Sequence, residues 1–358
     1  MKLKAILTYL CLFFFANTTY SQIIDIPDDN FKAALLSNSA INTNGDNEIQ
    51  ESEAEAFTDT LNVEERGILD LEGIAFFTNL TYLKCTLNYL TSLDLSYNTA
   101  LTNISYGKTS LTNLDLSANI ALTSISCEYM NLTHLDVSAN TELAILNCNQ
   151  TDLNSLDLSA NKKLAILNCS YTDLASLDLC ANKNLFHLKC DSTQLSSLDL
   201  SANTTLNSLD CSNNNLTSLN LKNGNNDISN NTNTNLDKWN FNAKGNPNLS
   251  CIEVDSESYA VANWTSIDPA SSFSEDCSFD NVTKVYPNPT TGLFTVELQS
   301  CQDVSVSLYN LSGQVLYQQE FMNRITQVLD ISWAAIGVYV IEVVVGGERV
   351  HQQLVVKR

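Results

Sequence analysis

The sequence predicts a repeat solenoid of short parallel β strands with little helix, closed in front by a helical cap and followed by a small C-terminal β-sandwich. Three observations point there. Leu93, Leu114, Leu135, Leu156, Leu177, Leu198 and Leu219 lie 21 residues apart, and each opens the same L-D/N-L/V triplet. A second set, L-x-x-L/I-x-C/Y, is interleaved with the first and ends at Cys85, Tyr106, Cys127, Cys148, Cys169, Cys190 and Cys211. After Cys277 the repeats are gone, and short β-rich runs alternate with turn signals instead. A fixed period this short means units that bury their apolar edges only against one another.

At the front, two lysines precede the apolar run "AILTYLCLFFFA", and Thr19 and Ser21 are small residues placed for a signal peptidase. Residues 1–21 are therefore expected to be a cleaved secretory signal. Cys11 follows Leu10 with no small residue before it, which argues against a lipoprotein anchor. No other segment approaches the ~20 apolar residues of a membrane span.

Residues 22–66 are expected to cap the solenoid. Asp28 precedes an apolar helical pattern, and "NTNGDNEIQESE" follows at 42–53. This stretch resembles a single EF-hand loop. The resemblance implies Asn42, Asn44 and Asp46 as alternating ligands, Glu48 through its carbonyl, Gln50 through water and Glu53 as the bidentate acid. Asn42 stands where Asp is usual, and Asn47 where the sharp turn wants Gly, although Asn tolerates a left-handed backbone. Two carboxylates imply at most weak Ca²⁺ affinity. The alternative is a capping helix-turn-helix that has lost its ion.

The solenoid is expected over residues 67–224. In each half-unit the spacing L-x-x-L-x-L turns both ends of L-x-L inward and the middle residue outward, the pattern of a short strand. Seven turns at ~4.8 Å would give a rod about 34 Å long. Asn98, Asn119, Asn140, Asn161, Asn182 and Asn203 recur three residues past the second leucine, where their amides can satisfy the backbone at each bend. These residues resemble leucine-rich repeats of the bacterial class in which two half-repeats nest in a 21-residue unit. At the second asparagine position Asn88 and Asn214 fit that pattern, but Thr109, Met130, Thr151, Thr172 and Thr193 depart from it.

The cysteines divide by position. Six take the inward place of the second strand family, where a buried stack of free thiols is expected, because in-register neighbours on parallel strands are poorly placed for bridging. A straight ladder also offers a metal only one direction of approach. Cys180, replacing the serine of LDLSAN, reads as another small residue. Residues 225–283 read as a rear cap and linker, with Cys251 and Cys277 as a disulfide.

The outward middle position of the first strand family holds Asp94, Asp115, Asp136, Asp157, Asp178 and Asp199. Carboxylates ~4.8 Å apart repel by about 0.9 kcal/mol per pair even in bulk water. Raised pKa values, bridging cations such as Ca²⁺, or hydrogen bonds from the flanking Ser92, Asn113, His134, Ser155, Ser176, Ser197 and Ser218 could relieve this. The row and its flank form the candidate ligand-binding face; the alternative is a solvated face that serves solubility. Spacing near 5 Å also matches a retaining glycosidase pair, but equivalent environments distinguish no acid from a base. The opposite column, Lys84, Ser105, Ser126, Asn147, Asn168, Lys189 and Asp210, is mixed and suggests no chemistry. His134 and His187 fall outward on opposite families and His351 lies far away, so no nucleophile–base pair is legible and a non-enzyme is expected.

Residues 284–358 form the tail. Pro287, Asn288, Pro289 and Gly292, then Tyr309 to Gly313, Gly337 with Tyr339, and Lys357 resemble the C-terminal sorting domain of the type IX secretion system. This implies a Gram-negative bacterium of the Bacteroidetes type, the secretion machinery as a partner, and a product that is secreted or attached to the outer cell surface. The chain carries 40 acidic against 18 basic residues, a net −22. Residues 22–283 hold 34 of the acids and 11 of the bases, a net −23, which disfavours nucleic acid and anionic lipid. The sequence therefore points to a monomeric, adhesin-like binding protein for an extracellular protein or glycan, with a structural surface component as the alternative.

Overall fold

The computed structural model describes residues 22–225, 241–277, 284–345 and 348–357. The expected leader lies outside these residues. Helix α1 (Asp29–Leu36) begins where Asp28 accepts from Phe31 N at 2.9 Å. The second oxygen of Asp28 accepts from Leu69 N at 2.7 Å. One carboxylate thus satisfies a helix terminus and ties the front cap to the first coil. Helix α2 (Glu51–Ala56) is closed by a capping box between Gln50 and Glu53.

The second half of each repeat forms the regular sheet. Behind Thr60–Asn62 of the cap stack Tyr82–Lys84, Asn103–Ser105, Ser124–Ser126, Ile145–Asn147, Ile166–Asn168, His187–Lys189 and Ser208–Asp210, all parallel and in chain order. The period sets the register: Leu83 pairs with Ile104, Ile125 with Leu146 and Leu188 with Leu209. Each middle residue is buried and its neighbours are exposed or half-buried, as period-2 alternation requires, except that His187 and Ser208 at the rear are buried as well. Cys85, Cys127, Cys148, Cys169, Cys190 and Cys211 follow on the inside as buried free thiols, with Tyr106 in the same column.

The first half behaves differently from the expectation of a second full strand family. Along 93–179 its L-D-L triplets form no named strand; a ladder starts only at Ser197–Asp199 and continues through Ser218–Asn220, Cys251–Glu253 and Ser272–Ser274. Pairing becomes regular where the rear cap extends the stack.

The bends are held by side chains. Asn98, Asn119, Asn140, Asn161, Asn182 and Asn203 are fully buried. Asn119 Nδ2 donates to Leu95 O at 3.0 Å and Asn98 O at 2.9 Å, and each later member repeats this one turn on. At the other bend Asn88 Nδ2 reaches both Val63 O and Cys85 O, whereas Thr151 and Thr172 satisfy only the carbonyl three residues back. Thr151 and Thr172 therefore forgo the inter-turn bonds that Asn88 makes to Val63 O and accepts from Arg66 N and Ile68 N, and the bend is still formed.

At the rear, Phe241 stacks on Trp264 with centroids 4.8 Å apart, Phe273 meets Trp264 edge-on, and Cys251 is bonded to Cys277. The tail comprises Lys284–Tyr286, Leu293–Tyr309, Val315–Asp330, Gly337–Val345 and Glu348–Val356 around its own core. By hydrogen bonding these form one five-stranded antiparallel sheet, in which the long strand Leu293–Tyr309 pairs along its length with three others. Cys180 is also not the plain small residue expected of it: it is bonded to Cys301 of the tail, whose long strand lies against Ser197–Asp199.

Candidate binding surfaces

The aspartate row is engaged by its own turns. Asp94, Asp115, Asp136 and Asp157 each accept, at 2.9 Å, from the backbone N–H two residues on, at Ser96, Ser117, Ser138 and Ser159. Asp178 and Asp199 do the same with Cys180 and Ser201 at 3.0 Å. These are Asx turns, so the charges are relieved from within the L-D-L-S stretch and not from the flanking column. The Ser96 and Ser138 backbone donors hold Asp94 and Asp136 below the ordinary carboxylate range, and the Ser117 hydroxyl and backbone N–H do so for Asp115. Asp199 goes the other way, because burial pushes its carboxyl up against the donors at Ser201 and Cys301.

The row is also divided. Ser92, Asp94, Asn113, Asp115, His134, Asp136, Ser155, Asp157 and Ser176 are exposed, Asp178 and Ser197 are half-buried, and Asp199 is buried. Cys301 N donates to Asp199 Oδ2 at 2.7 Å and Ile325 N to Asp178 Oδ2 at 3.1 Å. A cleft of about 480 Å³ between solenoid and tail is lined by Asp136, Asp157 and Asp178 together with Tyr286, Arg324 and Gln327.

In the loop at 42–53 the side chains of Asn44, Asp46 and Gln50 converge. Asn44 Nδ2 donates to Asp46 Oδ2 at 2.9 Å and Gln50 Oε1 at 2.7 Å, and Gln50 Nε2 to Asp46 Oδ2 at 3.0 Å. Glu53 forms a separate cluster, accepting from Thr43 N at 2.8 Å, Asn44 N at 3.2 Å and Gln50 N at 3.1 Å. Asn42 Nδ2 donates to Asp46 O, and the Glu48 carboxylate pairs with Lys32 at 2.6 Å. The left-handed residue is Gly45 rather than Asn47. Among the described residues no group of three or more His, Cys, Asp or Glu is placed to hold a metal ion. Here the donors bond one another; to hold Ca²⁺ the Asn44 and Gln50 amides would turn their oxygens toward Asp46.

A surface that the repeat pattern did not single out runs along the regular sheet. Leu87, Lys108, Tyr129, Gln150, Tyr171, Ser192 and Asn213, 21 residues apart, all take φ between 53° and 60°. A left-handed backbone is costly for side chains of this size, yet Leu87, Tyr129 and Tyr171 are 40%, 47% and 54% exposed. Lys108 Nζ lies 4.6 Å from the Tyr129 ring centroid. Tyr97, outside this column, is 65% exposed. His187, expected outward, is instead buried with the Phe186 ring edge-on at 4.5 Å.

The tail residues singled out in the sequence hold its turns. The side chain of Asn288, between Pro287 and Pro289, donates to Gln353 O at 2.6 Å and accepts from Val355 N at 3.0 Å, binding the entry loop to the last strand. Gly292 has φ 132°, and a Cβ there would come within 2.8 Å of Ser332 Cα. Gly313 takes the left-handed turn, Gly337 opens its strand, Tyr339 OH donates to Ala335 O and Lys357 N to Thr290 O.

Residues 284–357 match the family described as the secretion system C-terminal sorting domain. The chain is 29% identical over 75 residues to an endo-acting ulvan lyase of Formosa agariphila; that stretch is 21% of this chain and only 14% of the lyase. Among solved structures it is similar to the functional domain of InlJ from Listeria monocytogenes, described as including a cysteine ladder, with 21% identity over 94% of this chain and 99% of that one and a TM-score of 0.47. Internalin C2 from the same species gives 19% identity over 64% and 93%, with a TM-score of 0.45. The protein joins its solenoid of 21-residue, leucine-bearing turns to a tail that matches a secretion sorting domain and so points to a product secreted or attached to the outer surface. Among the described residues no helix is long and apolar enough to cross a membrane.

Proposed function

We propose that this is an exported, adhesin-like binding protein that holds an extracellular protein or glycan and catalyses nothing. What supports this best is the column of Leu87, Lys108, Tyr129, Gln150 and Tyr171. Large side chains are displayed on left-handed turns where the same repeat position also accepts Ser192 and Asn213. Aromatic and long polar groups of this kind anchor interfaces, whereas the carboxylates of the aspartate row are already committed to their turns.

The test is binding of the mature chain 22–358 to a glycan array and to bacterial and host cell surfaces. Tyr129→Ala with Tyr171→Ala is expected to weaken binding at least tenfold, and Asp115→Asn with Asp136→Asn to change it by less than threefold. The reverse order would move the site to the aspartate face. No binding by the unaltered chain would leave the structural-component reading, which the uniform Ser and Asp column favours.

Ca²⁺ is at most an accessory in this reading. With a dissociation constant of about 1 mM, 10 mM Ca²⁺ would stabilise the fold by about 1.4 kcal/mol. A urea titration with and without the ion should show that gain, and Asp46→Asn should abolish it.

A further inference from the structure

We propose that the rear end of the aspartate face, at Asp178 and Asp199, is the docking surface for the chain's own sorting tail and that the Cys180–Cys301 disulfide makes the docking permanent. A cut in the connecting stretch 278–283 would then leave the tail in place until that bond is reduced. The inference requires no external ligand, so its failure would leave the binding reading untouched.

Cysteine usage singles out the pair. Of the 11 cysteines, Cys11 lies in the expected leader, six form the buried column and two bridge the rear cap. The remaining two are Cys180, where the other L-D-L/V turns at this position carry serine, and Cys301, the tail's own cysteine. They are bonded across a sequence separation of 121.

The backbone contacts agree. Asp178 and Asp199 hold their Asx turns with Oδ1 and give Oδ2 to the tail. Their donors, Cys301 N and Ile325 N, flank the paired residues Gln302 and Arg324 on adjacent antiparallel strands. Adjacent strands of a sheet and successive turns of this solenoid share one spacing of about 4.8 Å. Two neighbouring tail strands can therefore address two neighbouring turns. The tail ladder shifts register between Glu297 and Gln302 and again before Val304. An irregularity of this kind leaves backbone groups unpaired within the sheet, and here one of them, Cys301 N, meets Asp199.

Closing the latch removes a proton and an electron from each thiol. The two electrons and two protons pass to a disulfide-bearing oxidant, whose own S–S bond becomes two thiols. Release is the reverse, with a thiol or dithiol reductant forming the new disulfide.

The experiment uses the full mature chain, with a site-specific protease sequence in place of residues 278–283, made in an oxidising compartment. After cleavage, denaturing electrophoresis without reductant should show one species, and dithiothreitol should split it into solenoid and tail. Peptide mass mapping should recover Cys180 joined to Cys301. Cys180→Ser, which restores the serine found in the neighbouring repeats, should separate without reductant. Fragments that part without reductant in the unaltered pair, or Cys301 mapped to another cysteine or to a second chain, would overturn the proposal.

Discussion

Trp264→Ala should lower the unfolding free energy by about 3–5 kcal/mol, the usual cost of truncating a buried tryptophan. Trp264 is 3% exposed and packs against Phe241, Phe273 and Tyr259, so its loss removes the ring that all three touch in the aromatic cluster that closes the last turns. A solenoid end without its cap exposes apolar surface and open strand edges. The urea midpoint should fall and size-exclusion chromatography should show association. An unchanged midpoint would mean that the disulfide and the strands Cys251–Glu253 and Ser272–Ser274 close the end unaided.

Asn161→Ala should cost about 1–3 kcal/mol, at about 0.5–1.5 for each of the two hydrogen bonds lost. The acceptors are Val137 O at 2.9 Å and Asn140 O at 2.8 Å, which keep the backbone donors Asn140 N and Leu143 N when the side chain is removed. The neighbouring Lys162→Ala, on an exposed position of the same turn, should change stability by less than about 0.5 kcal/mol. Equal effects from the two would show that the asparagine column is not what holds the bends.

Much of this architecture was legible because a 21-residue period fixes which residues stack: the inward leucines, the thiols and the asparagines are columns before they are coordinates. The spacing could not say which half-unit would build the long sheet, since both read L-x-x-L-x-L and differ at the last inward place, cysteine against leucine. As a sequence pattern the aspartates form a column facing outward. The informative relation was along the chain instead, from each carboxylate to the amide two residues later in D-L-S. Cys180 looked like a harmless substitution because pairing over 121 residues leaves no local trace. Counting cysteines after assigning the column and the rear cap would have left it with Cys301.

The thiol column bears on the journey the tail directs. Burial pushes the Cys85, Cys127 and Cys169 thiols up to about 12. A thiol with such a pKa is a reactive anion about once in 10⁵ at pH 7, and it is the anion that attacks disulfides. Six unpaired cysteines crossing an oxidising compartment would invite scrambling in an unfolded chain. Here the folded stack is its own protecting group, and the order of events becomes a race: turns that coil before an oxidant reaches them keep their sulfurs reduced, leaving oxidation to the cysteines outside the column.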